Sequence, residues 1–448
     1  MTTKHILSGS IALLALIAET AAAKPGNGAK KTKAKATATE TAAVSDDRNG
    51  ATVAHNGDAT TSTRKPEVDV SYKELAVLYK NKDNPIVQKF SLYGEFSAQW
   101  AEGDSNQGRF GSRDLQPLAA TALAPANPST LWDGIDARRW RFGARAQLLH
   151  DFKWTGIIDI NPNVNPFYRD IYELYLTWAP SDAFSLSVGK RKAHFFTQEY
   201  NTPSRELIVF EQSLLTGMLI PKELTGAWMN GTLGHWSYTF AAYPGDYRTE
   251  FSRFNAGVVT QTSIGYDFAP KLKLDKALVR FDWQASTSDQ NAYGPQKFEH
   301  AFSLNTAWQQ GRFYAYTDFL GGLGRDTQGD VWGVVLIPTY FIIPDRLQFV
   351  LRYQYAHGDN DGLKLQSRYE TLAPDLVTTT TTTKSGKTTK TKTTSNTGDN
   401  YNAVYFGLNY YIYRHNLKLM AGAEYADLSG GKKDYSGWTC LAGLRLSF

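Results

Sequence analysis

Residues 438–448 read WTCLAGLRLSF. Taken in steps of two, Trp438, Cys440, Ala442, Leu444, Leu446 and Phe448 share one face, and Thr439, Leu441, Gly443, Arg445 and Ser447 share the other. One face is apolar throughout, and the other is mostly small or polar. A period of two marks a strand buried on one side only. If that side meets lipid, the strand must pair on both edges, because an open backbone N–H or C=O has no partner in hydrocarbon. A last strand of this kind closes a sheet against the first.

The same period runs back to Phe90. "KFSLYGEFSAQW" (89–100) sets Phe90, Leu92, Gly94, Phe96, Ala98 and Trp100 against Ser91, Tyr93, Glu95, Ser97 and Gln99. "RRWRFGARAQLL" (138–149), "AFSLNTAWQQ" (301–310) and "LQFVLRYQY" (347–355) alternate in the same way. Connections alternate too. Short ones fall near residues 150, 181, 234, 311, 345 and 414, and long ones near 101–137, 191–222, 244–255, 287–298, 321–330, 358–400 and 428–437. Short turns at one rim and long loops at the other predict an all-β fold, a transmembrane antiparallel up-and-down β-barrel of about 16 strands. Trp100, Trp140, Trp154, Trp178, Trp308 and Trp438 recur near strand ends on the apolar face, where interfacial girdles lie. Mean hydropathy of −0.40 does not oppose this reading, because only alternate residues face lipid.

Lys4 and His5 precede the apolar run "ILSGSIALLALIA", and small residues follow at Ala21 and Ala23. This is the pattern of a cleavable signal peptide, residues 1–23, and it predicts export to a bacterial outer membrane. A lone Cys440 rules out an internal disulfide framework. Residues 24–87 read as a low-complexity basic periplasmic linker. It ends in a short amphipathic helix, with Tyr72, Leu75, Ala76 and Tyr79 on one face. The barrel is then residues 88–448. The Thr/Lys-rich segment 378–395 reads as a disordered surface loop, with anion gathering by Lys387, Lys390 and Lys392 as the lesser alternative.

No metal-ligand spacing and no nucleophile–base motif stands out, so the chain reads as neither an enzyme nor a cofactor or metal protein. A net charge of +5 with no basic helix argues against nucleic acid. The sharper signal is the polar face. Arg139, Arg141 and Arg145 share one side of a strand, and Arg191, Arg280, Arg352, Lys418 and Arg445 fall on inward faces by the same parity. Rows of guanidinium groups in a water-filled pore select anions. Glu95, Asp159, Glu173, Asp282, Asp318 and Glu424 are inward as well, so the lumen is mixed. Lys190, Arg191 and Lys192 stand where the next long loop turns in to constrict the pore.

From Arg138 to about Leu215 the chain resembles the phosphate-selective porins, the O/P porin family. The resemblance is carried by "RRWRFGARAQL", "HDFKW", "RDIYELYLTWAP" and "FSLSVGKRKAHFFTQEYNTPSRELIVFEQSLL". It implies a homotrimer, an inward-folded third loop and an arginine ladder drawing anions such as phosphate to a narrow neck. It makes Arg139, Arg141 and Arg145 ladder candidates, and Lys190, Arg191 and Lys192 candidates for the neck entry. The terminal Phe448 resembles the signal read by the outer-membrane insertion machinery, and lipopolysaccharide is the expected lipid partner. Two alternatives stand beside an anion porin. One is a non-selective porin, favoured by the mixed lumen. The other is a barrel that also tethers the membrane to the cell wall through residues 24–85.

Overall fold

The computed structural model describes residues 76–115, 130–132, 134–162, 167–193, 196–246, 248, 250–287, 297–373, 377–384, 387–394 and 396–448. Sixteen long antiparallel strands, each paired with its chain neighbours, close into a barrel. They are β1 (Val87–Ser105), β2 (Ile135–Leu148), β3 (Phe152–Ile160), β4 (Tyr168–Ser181), β5 (Phe184–Lys192), β6 (Glu223–Leu233), β7 (Trp236–Pro244) and β8 (Val258–Asp267). They continue as β9 (Lys276–Ser286), β10 (Phe298–Gln310), β11 (Phe313–Gly324), β12 (Val331–Ile343), β13 (Leu347–Gly358), β14 (Asn400–Tyr413), β15 (Leu417–Ser429) and β16 (Tyr435–Ser447). Closure comes from β16 on β1, with Glu95 opposite Ser447 and Ser105 opposite Gly437.

Alternation decides which side chains meet lipid. On β14, Val404, Phe406, Leu408, Tyr410 and Ile412 are exposed on the outside, while Tyr401, Ala403, Tyr405, Asn409 and Tyr411 are buried inside. Exposed apolar side chains of this kind recur around the barrel, from Phe142 and Leu176 to Phe319, Leu419 and Leu444. A water-exposed surface so rich in large apolar groups would associate, whereas a hydrocarbon belt requires it. The short-turn rim needs tight reversals, and positive φ at His150, Gly234, Gly311, Asp345 and Arg414 supplies them.

The terminal residue has a structural role at the seam. Phe448 exchanges two backbone hydrogen bonds with Gly94, its N donating to Gly94 O at 3.0 Å and Gly94 N donating to Phe448 O at 3.1 Å. Its ring occupies the place where a Cβ on Gly94 would stand. A side chain at position 94 would push the closing residue off the seam.

Two expectations are corrected. The amphipathic helix around Tyr72–Tyr79 is not formed in its described part, where Val77–Lys80 is a strand paired with Ser91, Phe90 and Lys89 of β1. β16 reaches only as far as Gly94 on β1, which leaves the lower edge of β1 open, and an unpaired edge is a stronger demand than local helical periodicity. The Thr/Lys segment is not irregular either. Val377–Lys384 and Lys387–Thr394 form a two-stranded hairpin outside the barrel sheet. Thr is a good strand former. The expected signal peptide (1–23) and the part of the expected basic linker (24–87) up to residue 75 lie outside the described residues, as do the side chains of Lys387, Lys390 and Lys392.

Candidate functional site: a loop strung across the lumen

Between β5 and β6, residues 196–222 cross the barrel interior. The segment carries two short helices, α1 (Gln198–Asn201) and α2 (Leu214–Leu219). Thr197 caps α1, its Oγ1 accepting from Tyr200 N at 3.1 Å. Phe196, Leu207, Val209, Phe210, Leu214, Leu215 and Leu219 are buried, packed against inward residues such as Leu320, Val335, Tyr405 and Leu441. Burial of this apolar surface, unusual in a water-filled lumen, drives the loop inward.

Polar groups fix its path. Lys418 Nζ donates to Leu207 O at 2.7 Å. Arg445 donates to the carbonyls of Ser204 (3.4 Å), Leu207 (2.6 Å), Val209 (3.0 Å) and Phe210 (3.3 Å). Asn409 Nδ2 donates to Ile208 O at 2.9 Å, and Arg352 to Glu211 O at 2.7 Å. From Ser204 to Glu211 the loop thus turns its carbonyls to a cationic wall. Lys418 and Arg445 are direct partners across β15 and β16, and Ser97 links Arg445 to Arg139 across β1. The bases therefore stand in one row over four strands. At the other end, Arg280 donates to Thr197 O at 3.0 Å and Gln198 N donates to Asp318 at 2.8 Å.

The ladder arginines divide by their partners. Arg141 bridges Glu95 (3.1 Å) and Asp159 (2.8 Å) and lies 3.4 Å from the centroid of the Tyr172 ring. Arg280 pairs with Asp282 at 2.8 Å. Arg352 pairs with Glu199 at 2.9 Å and Glu424 at 2.6 Å. Arg445 is committed to loop carbonyls. Arg145 instead stacks on Tyr93 at 4.5 Å. Among the described residues, neither Arg139 nor Arg145 has a carboxylate within 4.0 Å. Lys190, Arg191 and Lys192 end β5 and diverge. Lys190 donates to Arg248 O at 2.7 Å, Arg191 sits 5.0 Å from the Trp228 ring centroid, and Lys192 sits 4.3 Å from that of Tyr200.

Two participants on β2 do not follow from strict parity. The register slips between Ser97–Arg139 and Ala98–Ala137, so a bulge at Arg138 brings both Arg138 and Asp136 inward. Arg138 grips Glu211 bidentately at 3.0 and 3.1 Å. Burial would raise the Glu211 carboxyl, but Arg138, with Arg139 and Arg368 nearby, outweighs it and pulls the carboxyl down to about 2. The signal available was the doublet Arg138-Arg139, since adjacent residues on one strand can share a face only through a bulge. Asp136 in turn receives Arg368 at 2.8 Å and the Tyr369 hydroxyl at 3.0 Å, anchoring a second inward segment, residues 363–373.

No family model matches the chain, and no curated protein sequence matches it. Solved structures do. Salmonella typhi OmpF in complex with daunomycin aligns over 83% of this chain and 100% of its own, with a TM-score of 0.50 at 10% identity. The outer membrane channel DcaP of Acinetobacter baumannii aligns over 83% and 99%, with a TM-score of 0.47 at 16% identity. The high-pH structure of Pseudomonas putida OprB aligns over 80% and 94%, with a TM-score of 0.49 at 9% identity. Likeness at such identities concerns the fold alone.

Proposed function

We propose that this chain is an outer-membrane porin, a passive diffusion channel for small hydrophilic solutes, with a preference for anions such as phosphate. The observation that carries the channel reading is the loop 196–222 drawn across a closed, membrane-spanning barrel by side chains of many strands. Such a loop narrows a lumen without sealing it by covalent means, and a solute passing it needs only weak, multiple contacts. The anion preference rests on Arg139 and Arg145. Arg141, Arg280 and Arg352 already face acids, and Arg445 faces carbonyls, so these four hold the loop and contribute little free field. Arg139 and Arg145 have no carboxylate within 4.0 Å, and Lys190, Arg191 and Lys192 raise the potential at the loop's entry.

The test is the reversal potential of the refolded protein in a planar bilayer under a KCl gradient. The result expected for the wild type is anion preference, with the chloride current reduced by added phosphate at millimolar level. Replacing Arg139 and Arg145 together with Ala moves the reversal potential toward the cation side, while Arg141→Ala moves it less. An unchanged potential in the double variant would falsify the assignment. The second reading is a non-selective porin, favoured by the direct pairing of three ladder arginines with acids. A permeability ratio near unity that is indifferent to phosphate decides for it.

A further inference from the structure

Residues 363–373 follow β13 and turn into the barrel from the long-loop rim. Leu363, Leu365, Tyr369 and Ala373 are buried in the same apolar cluster as Phe210 and Leu214 of the loop. Gln366 rests on α2, where a Cβ at Gly217 would stand 3.0 Å from the Gln366 Cβ. Polar contacts tie the segment to the wall at the β2 bulge. Arg368 donates to both carboxylate oxygens of Asp136, at 2.8 and 3.2 Å, and the Tyr369 hydroxyl donates to Asp136 at 3.0 Å. Gln99 Nε2 donates to the Tyr369 hydroxyl at 2.5 Å and to Glu211 at 3.1 Å, so the segment and the loop share this anchor.

The next residue, Glu370, is 1% exposed, and its Oε2 has no hydrogen-bond partner among the described residues. The groups that face it are Glu211 of the loop, Arg352 of β13, Glu424 of β15, and the hydroxyls of Tyr401 and Tyr405 on β14 and Tyr435 and Thr439 on β16. The short strand Gly108–Gly111 also packs on the segment, but its Arg109 is exposed and turned to Asp104 at 3.7 Å. Arg352 is the one base facing Glu370, and it already takes Glu199 at 2.9 Å and Glu424 at 2.6 Å. An ionised Glu370 would be the third carboxylate on a single buried guanidinium, away from bulk water. Burial, and then Glu424, hold the Glu370 carboxyl well above the usual carboxylate range.

We propose that residues 363–373 are a gate of the channel, seated in the lumen over the loop while Glu370 is uncharged and lifted from the wall when Glu370 ionises. The proposal rests on the porin reading, since a gate needs a current to control. A carboxyl that the fold keeps protonated makes the seat complete at acid pH and loosens it as pH rises through the raised value. One proton governs the step, so the ratio of lifted to seated segment changes by at most about tenfold per pH unit.

The experiment records single-channel current of the full chain in planar bilayers from about pH 4 to about pH 9. The expected result is two current levels, the higher gaining on the lower as pH rises, with a midpoint above the ordinary glutamate value of about 4.3. Glu370→Gln should hold the lower level at every pH. In a Cys440→Ser background, Gly217→Cys with Gln366→Cys brings two Cβ atoms within a few tenths of an ångström of disulfide distance. Oxidation of that pair should fix the lower level, and reduction should restore the pH response. A heat-modifiable gel shift shows that each variant keeps its barrel. A pH response that survives Glu370→Gln or the oxidised pair belongs to other carboxylates and overturns the gate. Current that is constant across pH in the wild type also overturns it and leaves the porin reading standing. A folded barrel that carries no current at any pH, with residues 363–373 present or deleted, refutes the porin reading, and the gate falls with it.

Discussion

Arg445 is buried in the lumen wall and donates to four carbonyls of one loop segment. That count explains why the loop has a single path. A guanidinium presents several donors in a fixed fork, and each loop carbonyl it meets would otherwise be a buried acceptor without a partner. Leaving one such group unmade costs about 1–3 kcal/mol. Arg445→Met should therefore free the Leu207–Phe210 stretch and raise single-channel conductance. Lys418→Met should do the same more weakly, because Leu207 O accepts from both side chains. Shared acceptors make the two changes couple, so the double variant should fall short of the sum by roughly 0.5–3 kcal/mol in unfolding free energy. Strict additivity would show that the two bases act apart. Glu211 sets the acid limit of the same clamp. Its carboxyl stays ionised down to about pH 2, so its pairing with Arg138 is present above the ordinary carboxylate range and lost only as pH falls through that value.

At the scale of elements, the second inward segment carries a buried acid of its own. Residues 363–373 contain a single 3-10 turn, Glu370–Leu372, and lie over a small polar space lined by Glu211, Arg352, Glu370, Tyr405, Glu424 and Thr439. Glu370 is buried there, and its Oε2 has no hydrogen-bond partner among the described residues. Burial first, and then the carboxylate of Glu424, push its carboxyl well above the usual range, with Glu211 adding to the effect and Arg352 opposing it. A carboxyl raised in the folded state favours the protonated form. The segment is thus most secure below the ordinary carboxylate pKa and loses stability as pH rises through the raised value. Proteolysis of residues 363–373 should quicken as pH is raised, and Glu370→Gln should remove most of that dependence. Cleavage at a constant rate across pH would refute it. The short strand Val77–Lys80 is a second case of an element set by need. It pairs the stretch of β1 that β16 does not reach.

The whole molecule has an uneven outer surface. On β15, β16, β1, β2 and β3 the outward positions mix large side chains such as Trp100, Phe142, Leu419, Trp438 and Leu444 with a mid-strand set of small ones, Ala421, Ala423, Cys440, Ala442, Gly94, Ala98, Ala144 and Gly156. On β9 to β12 they are large, among them Phe281, Trp283, Leu304, Phe319 and Trp332. Small outward residues let two barrels approach closely, while bulky ones fill lipid. We propose that the barrel is a homotrimer meeting through the sector that carries these small residues, in a membrane of lipid and lipopolysaccharide. Ala421→Trp should then convert the detergent complex to a single chain by native mass measurement, while the equivalent change at Phe319 leaves the assembly intact. Loss of assembly in neither variant, or in both, would count against that sector.

What the sequence determined by itself follows from period and punctuation. Alternation from Phe90 to Phe448, with short and long connections in turn, is enough to specify a closed lipid-facing barrel, because lipid admits no open edge. It also marks which residues face inward wherever a strand is regular, as for Arg141, Arg280, Arg352 and Arg445. What those side chains touch was decided only by the tertiary structure. Arg445 and Arg352 meet a loop distant in sequence, so no local pattern records that Arg445 meets Leu207 or that Arg352 meets Glu199, whereas Arg280 finds Asp282 on its own strand and Arg141 finds Glu95 and Asp159 on the strands beside it. One extra residue at Arg138 reverses parity and brings Arg138 and Asp136 into the lumen, which a reading in steps of two cannot register. The helix expected near Tyr79 fails for the same reason. A few residues of helical period have little preference of their own, and the open edge of β1, visible only once β16 is placed beside it, takes them as a strand.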